Sequence, residues 1–151
     1  MVQPTKLIVI GYWDGPDTSG PWPDVQRFID PTWDEDERDF IADYLRMGFV
    51  SRAYMGYSIC RVCGKRDNGD LELTDGTYVW PDGLVHYVIE HDVRLPGWFV
   101  SHAHDTIDAF EEADRSTDQW RSARLEPIKP PRAEQPERRT DLKDETARTI
   151  F

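Results

Sequence analysis

Two cysteines and two histidines in the middle of this 151-residue chain carry the spacing of metal ligands: Cys60 and Cys63 with two residues between them, then His86 and His91. Tetrahedral structural zinc takes four ligands of this kind, thiolate sulfur and imidazole nitrogen. Gly64 and Lys65 follow Cys63 directly. A C-x-x-C-G-K segment suits a knuckle in which backbone N–H groups turn toward the thiolates and the glycine relieves the tight turn. The histidine pair sets a geometric condition. Five residues apart on an ideal helix, the two rings point about 140° apart around the axis. They share one ion only if the last turn widens or His91 sits just past the helix end. His102 and His104 stand as alternatives to His91 for the fourth ligand. The competing reading of the same residues is a pair of partly buried histidines and two reduced core cysteines.

Four protein ligands close a zinc site, whereas a catalytic zinc keeps one position for water. The run His86-x-x-x-Glu90-His91 fits neither H-E-x-x-H nor H-x-x-E-H. No G-x-S-x-G, phosphate-binding loop or dinucleotide fingerprint occurs. A redox C-x-x-C belongs at a helix start after a parallel strand, which is missing here. An enzyme built on this chain therefore needs a cleft made by other residues, and Tyr57, Asp75, Tyr78 and His102 are the candidates.

The elements that must position these groups follow from local pattern. Lys6–Trp13 is a β-branched run ending in aromatics and reads as a first strand, followed by a Gly/Pro/Asp loop to Asp24. Thr32, with Glu35 three residues on, predicts a capped helix whose apolar stripe is Phe40, Ile41, Tyr44, Leu45 and Met47, stopped by Gly48. Phe49–Ile59 reads as a second strand running into Cys60. Leu71–Leu73 and Thr77–Trp80 form a hairpin about Thr74-Asp75-Gly76. Pro81 opens a second helix to about Glu90, and Trp98–Ala113 is a third helical stretch. Knuckle, hairpin and histidine-bearing helix together make an enlarged ββα zinc-finger-like element. The expected fold is α+β: a small, mostly antiparallel sheet with two or three helices. Residues 1–125 form one zinc-containing domain on this reading, and 126–151 a Pro- and charge-rich tail with a short helix near Asp141–Ile150.

The block Cys60-Arg-Val-Cys63-Gly64, Glu72-Leu-Thr-Asp-Gly-Thr-Tyr78-Val-Trp80-Pro81-Asp-Gly-Leu84-Val-His86-Tyr87 and His91-Asp-Val93-Arg94-Leu95-Pro96 resembles a group of small uncharacterised bacterial proteins. They share a C-x-x-C-G … L-T-D-G-x-Y-x-W-P-x-G-L-x-H-Y-x-x-x-H-x-V-x-L-P pattern. The resemblance spans roughly residues 57–100. It implies a bacterial or phage origin and a common zinc-bearing scaffold, and no catalytic role comes with it.

Charge narrows the partner. Residues 1–125 hold 12 basic and 23 acidic residues, whereas the tail is balanced. Such a field repels phosphate backbones and favours basic partners. The histidine-bearing stretch 81–91 contains no Lys or Arg, which a groove-reading helix needs. No apolar run reaches the length of a membrane span, and the first ten residues lack a small-residue cleavage site, so a cytoplasmic protein is expected. Six tryptophans either enlarge a thin core or supply recognition anchors. The expected function is a non-enzymatic protein-binding module, of immunity or adaptor type, that neutralises a basic partner. Trp13, Trp22, Asp34, Glu35 and Asp36 are the candidate contact residues.

Overall fold

The computed structural model describes residues 5–15 and 20–127. Residue contacts divide the chain after Ala113. The first unit contains β1 (Ile8–Val9), a 3₁₀ turn (Val25–Phe28), α1 (Glu35–Arg46), β2 (Phe49–Ala53), β3 (Leu71–Thr74), β4 (Tyr78–Pro81), α2 (Leu84–Glu90) and α3 (Gly97–Glu112). In the second unit the described residues hold one short helix, α4 (Asp118–Arg121), which the sequence pattern does not announce. The helix expected at 141–150 lies outside the described residues, as does the tail from residue 128.

The fold is α+β. Four strands form one sheet in the order β1-β4-β3-β2, with β2/β3 and β3/β4 antiparallel and β1 parallel to β4. The first strand is much shorter than the apolar run 6–13 suggests. Ile8 and Val9 pair with Tyr78 and Val79, then Gly11 takes φ 77° and leads the chain off the sheet edge. A Cβ at Gly11 would strike the Leu84 side chain, so chain and helix α2 meet there without a side chain between them.

In the first unit the sheet and α1, α2 and α3 share a core that includes Trp80, Phe99, Ile41, Leu45, Leu84 and Val88, all almost fully buried. Trp80 Nε1 donates to the Leu45 carbonyl at 3.2 Å, so even the polar atom of this central ring is satisfied. Tyr44, Tyr78 and Trp80 each lie within aromatic contact of Phe99. Three of the six tryptophans (Trp13, Trp33, Trp80) are buried, while Trp22, Trp98 and Trp120 are exposed. The core-enlarging reading therefore holds for half of these rings.

Three local expectations change. Helix α1 is capped by Asp34, not Thr32: the Asp34 carboxylate accepts from Glu37 N at 3.0 Å. Thr32 instead donates its hydroxyl to Asp30 at 2.6 Å. Either oxygen suits a cap, and Asp34 wins because it stands next to the first helical residue and also favours the positive end of the dipole. Gly48 is not a left-handed stop. It is small because a Cβ there would lie 2.8 Å from Trp80 and 2.9 Å from Leu73. Pro81 ends β4, opposite Glu72, and does not begin α2, whose N-cap is Gly83. Asp82 N extends the ladder to the Leu71 carbonyl at 3.0 Å.

Candidate metal centre

The connection 54–70 carries the cysteines and is folded back on itself. Ser58 N donates to Gly69 O at 2.8 Å and Asn68 N to Ser58 O at 2.9 Å. Within that closed loop Cys60 N donates to Lys65 O and Gly64 N to Cys60 O, with Gly64 at φ 74°. Val62 N points at Cys60 Sγ from 3.4 Å, the N–H-to-sulfur contact expected of a knuckle. The knuckle is fixed to α2 because Arg61 N donates to Tyr87 Oη at 2.8 Å. Burial pushes the Tyr87 phenol up to about 12, so it stays protonated beside the thiols.

Helix α2 brings in the histidines. His86 lies in its first turn and His91 is its C-cap, with φ −127° and ψ 15°. The condition set by the five-residue spacing is met in its second form: His91 stands just past the helix end. Asp92 takes φ 53°, and the Tyr87 carbonyl accepts from both His91 N and Val93 N. A left-handed Asp is tolerable but unfavourable, and its side chain is held by Arg38 of α1 at 2.9 Å.

The four ligand atoms lie within 4.8 Å of one another. His86 Nε2 is 3.2 Å from His91 Nε2 and 3.4 Å from Cys63 Sγ. A tetrahedron with metal–sulfur bonds of about 2.3 Å and metal–nitrogen bonds of about 2.0 Å has edges of about 3.3–3.8 Å. Two of the six edges match that figure and the others lie within 4.8 Å, so the cluster could close on a metal ion with small side-chain shifts. Its electrostatics agree: burial, then His91 and Lys65, hold the His86 imidazolium below its ordinary range, which favours the neutral, ligating form. Cys60 is buried and Cys63 exposed. The ββα order is present as β3, β4 and α2, with both cysteines ahead of the hairpin.

His102 and His104 are not part of this cluster. His104 stacks on Phe40 of α1, with ring centroids 4.1 Å apart and planes within 2°. His102 of α3 binds Asp75 at 2.8 Å. The Asp75 carboxylate also accepts from Tyr44 Oη at 2.6 Å, Thr77 N at 2.9 Å and Tyr78 N at 2.8 Å. Burial alone would raise its pKa, but the bonds from Tyr44, Tyr78, Thr77 and His102 outweigh that and hold it below the usual carboxylate range. A carboxylate offers about four lone-pair positions, and here four donors use them. The group ties the β3–β4 turn to α1 and α3.

Asp75, Tyr78 and His102 are thus neighbours, with the Tyr78 and His102 rings 4.7 Å apart. Tyr57 stands elsewhere, lining a cleft of about 320 Å³ with Tyr12, Arg61 and Tyr87. Of the residues read as partner contacts, Asp34, Glu35 and Asp36 are exposed at the start of α1 and Trp22 is exposed on its loop, while Trp13 is buried against Phe28 and Tyr87. Trp98 is a further surface ring, outside the set of candidate contact residues. Its position next to Pro96-Gly97, in the first turn of a helix, is the signal that points to it.

Among the described residues no helix is long and apolar enough to cross a membrane. No protein-family model, curated protein or solved structure matches the chain.

Proposed function

We propose that Cys60, Cys63, His86 and His91 hold one structural Zn²⁺, and that the domain so stapled is a protein-binding module for a basic partner. The convergence of two thiols and two imidazoles from separate segments within 4.8 Å carries the metal half. Zinc fits because mixed sulfur and nitrogen ligands in a compact tetrahedral set are its habitual site. The ion would cross-link the knuckle to both ends of α2, replacing core volume that a small domain lacks. With four protein ligands it is a zinc-finger-like staple, as the resemblance to the bacterial pattern implies.

The binding half rests on charge and exposed rings. The chain carries a net charge of −11, and Asp34, Glu35 and Asp36 stand free of the core at one helix start. An acidic field speeds encounter with a cationic protein, and an exposed Trp gives it a hot spot. An immunity or adaptor role, in which the domain occludes a basic toxin or nuclease, fits that chemistry.

The test is capture from the native host, followed by affinity measurement on the purified pair. Reversing the charges at Asp34, Glu35 and Asp36, and Trp22→Ala, should each weaken binding, and binding should fall with salt. Turnover of a small molecule that requires Asp75 or His102 would overturn the proposal.

A further inference from the structure

The exposed tryptophans frame a cleft that the metal centre does not use. Trp22 stacks on Tyr12 with centroids 5.4 Å apart, and Trp98 stacks on Tyr78 at 5.7 Å. Each outer ring is thus propped by an inner one, yet Trp22 remains 43% and Trp98 56% exposed. Between them opens an apolar cleft of about 130 Å³, lined also by Ile10, Phe28 and Pro96. Free small molecules usually take sites of about 300–1,000 Å³. This volume suits one or two side chains of a larger ligand.

The surroundings select the ligand. Among the described residues no Lys or Arg lines the cleft. Asp14 and Asp24 flank Trp22: the Asp14 carboxylate accepts from Trp22 N at 2.9 Å, and Asp24 accepts from Gln26 N at 3.0 Å. A second copy of so acidic a chain, or a phosphate backbone, would meet like charge here. A cleft of this volume is too small to bed a helix face, but its aromatic lining matches the rigid rings of a polyproline II segment. Such ligands dock on aromatic grooves because little conformational freedom is lost on binding.

We propose that the Trp22/Trp98 cleft docks a proline-rich segment of a partner protein, with a Lys or Arg beside the prolines meeting Asp14 and Asp24. The proposal rests on the protein-binding reading above and names its ligand.

The experiment uses the full chain with zinc present and a synthetic decapeptide carrying two P-x-x-P repeats and a flanking arginine. Binding is followed by tryptophan fluorescence and calorimetry. Saturable binding is expected, with Trp22→Ala and Trp98→Ala each weakening it about tenfold, the effect of losing an interfacial aromatic anchor. Both side chains are about half exposed and neither is in the core, so the variants should stay folded, melting within about 8 °C of wild type. Trp120→Ala should bind as wild type. A peptide with alanine in place of every proline and the arginine retained separates the two readings. Equal binding of both peptides overturns the proline assignment and leaves the basic-partner reading standing. Failure of both peptides overturns the cleft proposal alone, since the basic-partner reading stands or falls with capture and with Asp34, Glu35 and Asp36. Pro130→Ala/Pro131→Ala in the full chain should leave the affinity unchanged. Tenfold tighter binding by that variant would give the cleft to the chain's own prolines, and dimerisation abolished by Trp22→Ala would give it to a second copy. Either result overturns the assignment to a partner.

Discussion

Cys63→Ser isolates the metal's contribution, because the geometry separates ligation from packing at that residue. Cys63 is exposed while Cys60 is buried, so the substitution removes no core contact and should by itself change stability by no more than about 0.5 kcal/mol. What it removes is one edge of the ligand set, the 3.4 Å approach of Sγ to His86 Nε2. If free zinc exceeds the dissociation constant about 1,000-fold, the bound ion contributes about 4 kcal/mol through linkage. For a unit the size of residues 1–113, each kcal/mol corresponds to about 4 °C in melting temperature. Cys63→Ser should therefore melt about 15 °C below wild type in zinc-containing buffer. Excess chelator should bring wild type down to the variant and leave the variant unmoved. Thermal melts by circular dichroism, paired with metal analysis by mass spectrometry, read both halves. A wild type that keeps its melting temperature in chelator, or a variant that melts within about 3 °C of it, would refute the staple.

His102→Ala and His104→Ala should both retain one metal per chain, since these rings belong to the Asp75 and Phe40 contacts; loss of metal in either would reassign the ligands. Asp34→Ala should destabilise by about 1 kcal/mol as a lost helix cap, and Thr32→Ala by less, measured as urea midpoints at constant slope. The Asp75 carboxyl is depressed in the folded state, so its stabilisation is full above its unfolded value of about 3.9 and is lost as pH falls through the lower folded value. The stability gap between wild type and Asp75→Asn should accordingly shrink as pH falls from about 5 to about 2; a constant gap would show that the four-donor arrangement does not depend on the charge.

How much of this was legible in the sequence depends on how local each feature is. The cluster of four candidate ligands was legible because their types and spacing leave few other uses, and the need for His91 to leave the helix followed from turn geometry alone. The choice of Asp34 over Thr32 turned on which of two competent oxygens reached the first free N–H, a matter of a single residue's backbone angle. Gly48 looked like a stop and is a contact, since only the folded state brings Trp80 and Leu73 against it. The Asp75 knot was out of reach in detail. Its side-chain partners Tyr44 and His102 come from 31 and 27 residues away, so nothing in local periodicity could join them. Tyr57 went wrong in the same way: it left the sheet with the 54–70 connection and joined another cleft.

The placement of the hairpin bears on the order of folding events. Cys63 and His86 are 23 residues apart, and β3 and β4 lie wholly between them. Closing a loop of that length removes about 3 kcal/mol of chain entropy in the cross-link picture. A metal that seizes its ligands before the rest of the chain condenses would hand the hairpin a shortened search, while the pairing of β1 with β4, from Ile8 to Tyr78, still waits on a far longer closure. Zinc should then accelerate the refolding limb as well as slow unfolding, with side chains of β3 and β4 carrying the high φ-values and those of β1 the low ones.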